Sequence, residues 1–173
     1  SMDRENRLGL VKRALHLLVR ELGPRDKVAI VTGAASGIGR ALCVELAHRG
    51  IKAVAMVDFT EAINEVAESV NQEAGKDVAF SFLGDVTDEA FRKSVFQQLR
   101  GRHGTVNICV PAAGITRDRL SVRIDKDTGE ADIYPTDTFR KVVEVNLIAP
   151  VYWALEMVAA LGEERKRQNI GRW

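Results

Sequence analysis

The sequence has little cysteine and proline, no excess of either charge and no long apolar run. Its two cysteines, Cys43 and Cys109, lie in predicted apolar segments without a His or Cys neighbour at metal-ligand spacing, so we expect neither a disulfide nor a metal site. Twenty-five basic against 24 acidic residues give a net charge of +1, which offers no field to attract nucleic acid or an anionic membrane. No apolar run approaches the ~20 residues of a membrane span. We therefore expect a cytoplasmic protein without a membrane or nucleic-acid partner.

The remaining composition fits one globular domain preceded by a helix. With 173 residues, 46% of them hydrophobic, the chain is long enough to bury a core. We predict a helical extension over residues 1–24 and a main domain over residues 25–173. In the extension, apolar residues recur every three or four positions, as on one face of a helix: Leu8, Val11, Leu15, Leu18 and Leu22. Three roles for this helix stay open: packing on its own domain, pairing with another subunit, or lying on a membrane surface.

The most informative stretch runs from Lys27 to Ala47. Four apolar residues, Val28 to Val31, are typical of a buried parallel strand, and the glycines that follow open a segment with helical apolar spacing: Gly33, Gly37 and Gly39. Glycine is needed where the backbone turns tightly or approaches a ligand closely. The free N–H groups and the positive dipole end of the helix then suit a pyrophosphate. The alternative is a glycine-rich turn that holds no ligand.

Three further predicted strands alternate with helices. The strands cover residues 52–57, 77–83 and 106–110, and the helices cover residues 61–74, a segment from Thr87 to Leu99, and residues 138–161. We predict Thr87 as the N-cap of its helix. Pro150, inside the last helix, should leave one backbone carbonyl unpaired and kink the helix.

Asp58 closes the second predicted strand, 19 residues after Gly39. An acidic side chain at this place can accept hydrogen bonds from the adenosine ribose hydroxyls of a dinucleotide. The same carboxylate repels a 2′-phosphate, and no Arg or Lys stands at Ala35, Ser36 or Phe59 to attract one. The sequence therefore favours NAD over NADP. The alternative is a solvated loop aspartate.

Thr32-Gly33-x-x-x-Gly37-x-Gly39 resembles the T-G-x-x-x-G-x-G motif of the short-chain dehydrogenase/reductase family. Ala113-Gly114 and Val145-Asn146-Leu147 match later motifs of that family in order. The run from Gly114 to Asp118 is similar to the 3-oxoacyl-acyl-carrier-protein reductase branch.

The resemblance implies an α/β fold: a doubly wound, Rossmann-like parallel sheet in strand order 3-2-1-4, incomplete, with the N-terminal amphipathic helix added. It also implies a set of cofactor-binding residues: Gly33, Ser36, Gly37, Ile38, Gly39, Asp58, Asp85, Val86, Ala112, Ala113 and Gly114. Asp85 and Val86 would lie beside the adenine, although capping of the next helix is an alternative for this pair. Asn146 matches the asparagine that bends the helix and holds a proton-relay water in the family. A structural asparagine is the alternative.

The sequence departs from the family in two places. Pro111 and Ala112 replace two asparagines whose side-chain amides usually brace the sheet, so we expect weaker cofactor binding or lower local rigidity. No Tyr-x-x-x-Lys occurs, so we interpret the chain as truncated before the family's catalytic Ser and Tyr/Lys pair. An incomplete sheet should leave an uncovered apolar face, expected at Trp153, Leu155 and Val158.

Between Leu120 and Phe139 lies a segment that looks like an insertion. Val122 and Ile124 alternate with polar neighbours, a Thr128-Gly129 turn follows, and Ile133 can begin a return strand. We predict a surface hairpin on the substrate side. A disordered loop is the alternative.

Two functions follow from the sequence. The first is an NAD(H)-dependent oxidoreductase that transfers hydride between the nicotinamide and a ketone or secondary alcohol, with a 3-oxoacyl thioester as the substrate that the branch resemblance implies. Its partners would be a small-molecule substrate and further copies of itself in a homo-oligomer. The second is a non-catalytic NAD-binding or assembly module. In both cases we expect these 173 residues alone to be inactive.

Overall fold

The computed structural model describes residues 24–171. The predicted N-terminal helix therefore lies outside the described residues, and the predicted division of the chain at residue 24 stays a prediction. A short 3₁₀ turn, Pro24–Asp26, leads directly into the first strand. The strands and helices then follow one another with short connections.

Strands and helices alternate from the start of the described chain to Pro111. In chain order these elements are β1 (Val28–Thr32), α1 (Gly37–His48), β2 (Ala53–Asp58), α2 (Ile63–Ala74), β3 (Ala79–Leu83), α3 (Glu89–Arg102) and β4 (Ile108–Pro111). The remaining elements are a hairpin of β5 (Val122–Ile124) and β6 (Ala131–Ile133), then α4 (Thr136–Val143), a π-helical turn (Glu144–Ile148) and α5 (Ala149–Arg167).

The four longer strands form one parallel sheet in the order β3-β2-β1-β4, which confirms the predicted order 3-2-1-4. In register, Val28 of β1 lies opposite Ala53 of β2, and Ala29 lies opposite Ile108 of β4. Every residue of β1 and β2 is buried, as expected for central strands covered by helices on both faces. All four strands therefore end at one edge of the sheet.

The two faces of the sheet carry separate cores. On one face α1 and α2 supply apolar side chains, among them Leu42, Leu46, Ile63 and Val70. On the other face α3 and α5 supply the cover, among them Val95, Phe96, Leu99 and Trp153. The protein is thus a three-layer α/β sandwich, as the sequence predicts.

Trp153 lies in the core, which contradicts its expected place on an uncovered face. Its side chain is fully buried and packs against the rings of Phe91 and Phe96, and its indole N–H donates to the Val86 carbonyl at 2.9 Å. Leu155 and Val158 are 54% and 49% exposed, as predicted. The reason is helical geometry, since residues 153 and 155 are two positions apart and point to opposite sides of α5.

The start of α3 differs from the prediction by one residue. Asp88, and not Thr87, is the N-cap, because its carboxylate accepts the backbone N–H of Phe91 at 3.0 Å. The Thr87 hydroxyl instead donates to Asp85 at 2.7 Å. An ionised cap next to the helix dipole is at least as favourable as a hydroxyl.

The last helical run begins at Thr136 and ends at Arg167, and a π-helical turn interrupts it just before Pro150. Proline lacks an N–H, and the wider turn is where the helix accommodates that loss. By length and composition this run of 32 residues also qualifies as a membrane span, which corrects the expectation that no such stretch exists. Val145, Ala149 and Trp153 of the run are nevertheless buried against the sheet.

The predicted surface hairpin is confirmed, and its place on the substrate side stays a prediction. β5 and β6 pair antiparallel, with Val122 opposite Ile133 and Arg123 opposite Asp132. Asp125 fixes the turn by accepting the backbone N–H groups of residues 127 and 128 at 2.9 and 2.8 Å. These hydrogen bonds favour the ionised carboxylate and hold the pKa of Asp125 below its usual value.

Candidate cofactor site

The connection between β1 and α1 folds tightly because glycine occupies two left-handed positions. Gly33 and Gly37 have φ angles of +66° and +54°. A Cβ at Gly33 would lie 2.8 Å from the Ala113 Cα, and a Cβ at Gly39 would lie 2.3 Å from the Gly33 carbonyl oxygen. Gly33 and Gly39 therefore permit close backbone packing. A Cβ at Gly37 would meet nothing within 4 Å, so the outer side of this turn is open to a ligand.

The first turn of α1 presents backbone donors that have no partner among residues 24–171. The first backbone hydrogen bond of the helix joins the Arg40 N–H to the Ser36 carbonyl at 3.2 Å, so the N–H groups of residues 37–39 precede it. Ser36 makes no side-chain capping bond, and Ser36, Gly37 and Ile38 are exposed. Exposed amides at the positive end of a helix dipole suit a phosphate group.

Asp58 lies beside this turn at the end of β2 and is 7% exposed. One carboxylate oxygen accepts the backbone N–H of Ala35 at 3.0 Å, and the other accepts the N–H and the hydroxyl of Thr60, each at 3.2 Å. Asp58 thus holds the glycine turn, a role that the sequence prediction did not include. A carboxylate has about four acceptor positions, so one remains for a hydroxyl donor.

The segment after β4 meets the glycine turn. The backbone N–H of Ala113 donates to the Thr32 hydroxyl at 3.1 Å, and Pro111 pairs with Thr32 in the sheet register. Ala112 and Gly114 are exposed at the same edge. Thr32 therefore connects β4 to β1 where the family's two asparagines are absent, a contact that no local sequence pattern indicates.

Asp85 and Val86 follow β3 and lie next to the end of β2, where the Gly84 N–H donates to the Asp58 carbonyl at 2.9 Å. Asp85 is exposed, and its Oδ1 accepts the N–H and the hydroxyl of Thr87 at 2.9 and 2.7 Å. The backbone hydrogen bond from Thr87 is the main reason that the pKa of Asp85 is below its usual value. Val86 is buried, and its carbonyl accepts the indole N–H of Trp153.

Asn146 sits in the π-helical turn and binds the loop after β4. Its Oδ1 accepts the Ile115 N–H, and its Nδ2 donates to the Ile115 carbonyl, both at 2.8 Å. The side chain thus satisfies both backbone groups of one loop residue, which supports the structural interpretation of this asparagine. A proton-relay role for Asn146 stays a prediction.

The structure therefore brings most of the predicted site residues to one edge of the sheet. Two cavities lie elsewhere: one of about 660 Å³ along the outer side of β3, and one of about 530 Å³ at the opposite ends of the strands. Within residues 24–171, no group of three His, Cys, Asp or Glu side chains is arranged to hold a metal ion. The candidate site is an open edge with backbone donors and two carboxylates.

Comparisons with known proteins match this architecture. The short chain dehydrogenase family model matches residues 27–170. The 3-oxoacyl-[acyl-carrier-protein] reductase of Escherichia coli is 40% identical over 111 residues, which are 64% of this chain and 43% of that protein. The corresponding reductase of Salmonella typhimurium is 32% identical over 139 residues, 80% of this chain and 51% of that protein. The chain thus spans about half the length of the curated relatives it matches.

Solved structures of short-chain dehydrogenases are also similar to this chain. A short-chain type dehydrogenase/reductase from Mycobacterium marinum has a TM-score of 0.65 and 26% identity, and the match covers 80% of this chain and 51% of that one. An NAD⁺-bound xylitol dehydrogenase has a TM-score of 0.61 and 27% identity, and the match covers 87% of this chain and 52% of that one. With its fold, its glycine turn and the family-model match over residues 27–170, this chain belongs to the short-chain dehydrogenase family.

Proposed function

We propose that the chain is the NAD-binding part of an oxidoreductase that transfers hydride between the nicotinamide and a ketone or secondary alcohol. The observation that carries this proposal is the turn from Gly33 to Gly39, where the open side of Gly37 and the free amides of α1 face the same edge as Asp58. When bound, the nicotinamide would donate hydride to a ketone in its reduced form, NADH, or accept hydride from a secondary alcohol in its oxidised form, NAD⁺. The protein residues bind the pyrophosphate at α1 and the adenosine ribose at Asp58.

The preference for NAD over NADP rests on charge and on space. Asp58 is nearly buried and holds the turn through Ala35, so it cannot swing away to admit a 2′-phosphate without freeing the Ala35 N–H. A second negative group next to a buried carboxylate carries both Coulomb repulsion and a desolvation cost. The similar xylitol dehydrogenase was solved with NAD⁺ bound.

A 3-oxoacyl thioester is the proposed substrate class, because similar proteins from Escherichia coli and Salmonella typhimurium are named as 3-oxoacyl-[acyl-carrier-protein] reductases. A ketone carbonyl next to the nicotinamide needs a proton donor during reduction. Tyr134 donates its hydroxyl to the Arg117 carbonyl at 2.7 Å, and Tyr152 lies on α5 under the Arg92 guanidinium. Neither tyrosine has a lysine four residues later, so these 173 residues should show no hydride transfer to ketone substrates.

The second candidate is a non-catalytic NAD-binding or assembly module. It is favoured by the exposed apolar side of α5, where Val151, Leu155 and Val158 are each about half exposed. Such a side suits another protein surface, in line with the proposed homo-oligomer. For both candidate functions we propose a cytoplasmic location and no nucleic-acid partner.

Titration calorimetry with NAD and NADP tests the cofactor proposal. We expect wild-type protein to bind NAD more tightly, and Asp58→Asn to narrow the difference because it removes the charge and keeps an acceptor for Ala35. Asp77→Asn, an exposed aspartate before β3, is the matched control. Equal affinities in the wild type, or an unchanged preference in Asp58→Asn, would reject the proposal.

A turnover assay tests the expected inactivity of the chain, and the reading frame beyond Trp173 separates the two candidate functions. Measurable ketone reduction by the chain would mean that it carries a proton donor other than a Tyr/Lys pair, and it would contradict the module interpretation. NAD binding without turnover is the expected result. Continuation of the reading frame beyond Trp173 into a serine and a Tyr-x-x-x-Lys pair would establish that the module interpretation is wrong.

A further inference from the structure

The outer edge of β3 carries a row of backbone groups that point away from the sheet. β3 is an outer strand of the parallel sheet, and the Val54 N–H of β2 donates to the Val78 carbonyl just before β3. Alternate residues of a parallel strand bond to the same neighbour. In this register, Ala79, Ser81 and Leu83 therefore direct their N–H and carbonyl groups outward.

The side chain of Asn71 in α2 satisfies only the first of these residues. Its Oδ1 accepts the Ala79 N–H at 2.8 Å, and its Nδ2 donates to the Ala79 carbonyl at 2.9 Å. Among residues 24–171, the outward backbone groups of Ser81 and Leu83 have no hydrogen-bond partner. Because an open strand edge can pair with other chains, folded proteins commonly cover it with a helix or a loop. We therefore expect a cover over Ser81 and Leu83.

The cavity of about 660 Å³ beside β3 lies along this edge, between α2 and α3. Its lining combines polar side chains of the two helices with five apolar residues: Ala67, Phe80, Phe82, Leu83 and Phe91. Leu83 is 46% exposed, and Phe80 and Phe82 are partly exposed. A surface of this kind suits an amphipathic helix, which presents apolar side chains at its centre and polar side chains at its borders.

Charge favours the N-terminal segment, residues 1–23, as the occupant of this cavity. α2 carries Glu65, Glu68 and Glu73 and no Lys, Arg or His. The N-terminal segment carries five Lys or Arg residues against three Asp or Glu residues. The second cavity, at the opposite ends of the strands, is lined by four Lys or Arg residues against two acidic ones. Electrostatic attraction therefore favours the cavity beside β3 over the second cavity.

The N-terminal segment also joins the described chain near this cavity. The Arg25 Cγ and the Lys76 Nζ each lie 3.7 Å from the position of a Cβ at Gly50, and Lys76 belongs to the connection from α2 to β3. A helix over residues 4–22 would be about 28 Å long. The five residues of β3 span about 17 Å. The segment is thus long enough to cover the edge.

We propose that residues 4–22 form a helix that packs in the cavity beside β3 of their own chain. Its apolar side contacts the exposed parts of Phe80, Phe82 and Leu83, and polar side chains at its borders reach the outward backbone groups of β3. The residues that make the apolar contact are Leu8, Val11, Leu15, Leu18 and Leu22. This places the predicted N-terminal helix as the cover of the β3 edge, independently of NAD binding.

A nitroxide label on the full chain tests the location of the segment. Arg13→Cys puts the label on the side of the predicted helix that faces away from its apolar residues, and both native thiols are at least partly buried. We expect the strongest broadening of NMR amide signals at Asn71, Ser81 and Gln98, which line the cavity beside β3. Gln168, in the second cavity, should be affected less. Isotope-labelled wild type mixed with the unlabelled nitroxide chain should show no broadening, because the helix packs on its own chain.

Hydrogen exchange tests whether the segment covers the edge. Leu15→Asn weakens the apolar contact, and Leu10→Asn is the matched control, since five positions rotate a helix by about 140°. The amides of Ser81 and Leu83 should exchange at least about tenfold faster in Leu15→Asn than in the wild type. In Leu10→Asn their exchange should stay unchanged. Ile30, in the centre of the sheet, should exchange equally in all three proteins and report that the fold is intact.

Each alternative has its own result. Broadening in the mixed sample would mean that the segment packs on another copy of the chain, and it would overturn the inference. Broadening that is strongest at the second cavity, or absent from the cavity beside β3, would show that the segment lies elsewhere. Equal exchange at Ser81 and Leu83 in the wild type, Leu15→Asn and Leu10→Asn would mean that the apolar side of the segment does not cover the edge, and the inference would be wrong.

Discussion

The substitution Gly37→Val should strain the backbone at a left-handed residue and block the proposed phosphate site. Comparison with a second glycine variant separates these two effects. Gly37 has a φ of +54° and nothing within 4 Å of an added Cβ, so the substitution causes backbone strain but no clash within the protein. A side chain in left-handed conformation costs about 2 kcal/mol. For a chain of this size, about 2 kcal/mol lowers the Tm by roughly 4–8 °C. The protein should therefore remain folded at 25 °C.

The new side chain would stand where phosphate approaches the first amides of α1. Each hydrogen bond to a charged group contributes about 1.5–3 kcal/mol, so the loss of even one should weaken NAD binding at least about tenfold. Gly75→Val is the matched control, since Gly75 has a φ of +66°, also has nothing within 4 Å, and ends α2 away from the site. Thermal unfolding and NAD calorimetry on both variants give the comparison.

Both variants should lose similar stability, and only Gly37→Val should lose NAD affinity. If Gly37→Val binds NAD as well as Gly75→Val does, the glycine turn does not face the cofactor and the placement of the site is wrong. If Gly37→Val instead unfolds while Gly75→Val does not, the turn contributes more to stability than its open side suggests.

Three further predictions concern the rest of the fold. Trp153→Phe should lower the free energy of unfolding by about 1–3 kcal/mol in urea titrations, because the Val86 carbonyl loses its donor; an unchanged midpoint would contradict the role of that bond. Burial raises the thiol pKa of Cys43 and Cys109 to about 12, so iodoacetamide should label both thiols slowly at pH 8 in the folded protein and rapidly in urea. Fast labelling of the folded protein would contradict this shielding of the two thiols. Burial lowers the pKa of His103, so the unfolded protein binds a proton there more readily, and the free energy of unfolding should fall as the pH drops below about 6.5. His103→Phe should weaken this pH dependence, and an equal slope of unfolding free energy against pH in both proteins would contradict the prediction.

The sheet could be predicted from the sequence because its strands are short apolar runs separated by clear turn signals. Val28 to Val31 and the glycines after them define β1 and its turn locally, and Asp58 follows from its place at a strand end. The hairpin was predictable because Val122 and Ile124 alternate with polar residues and a Thr128-Gly129 turn separates them from the return strand. In these cases the signal lies within a few neighbouring residues.

Contacts between distant segments could not be predicted in the same way. The side of α5 that faces the core depends on the direction of the helix, so a Trp in an apolar run does not reveal whether it is buried. Thr32 bonding to Ala113 and Lys141 bonding to Asp85 join residues 81 and 56 positions apart, and no local pattern marks them. Asp88 was missed as the cap because Thr87 is equally suitable by residue type.

The most direct test of the NAD site is a backbone amide NMR titration of the chain with NAD. We expect shifts at residues 33–39, with smaller changes at Asp58, Asp85 and residues 112–114, and none at the β5–β6 hairpin turn near Asp127. Shifts confined to the cavity beside β3, at residues such as Asn71 and Ser81, would mean that NAD does not bind at the glycine turn.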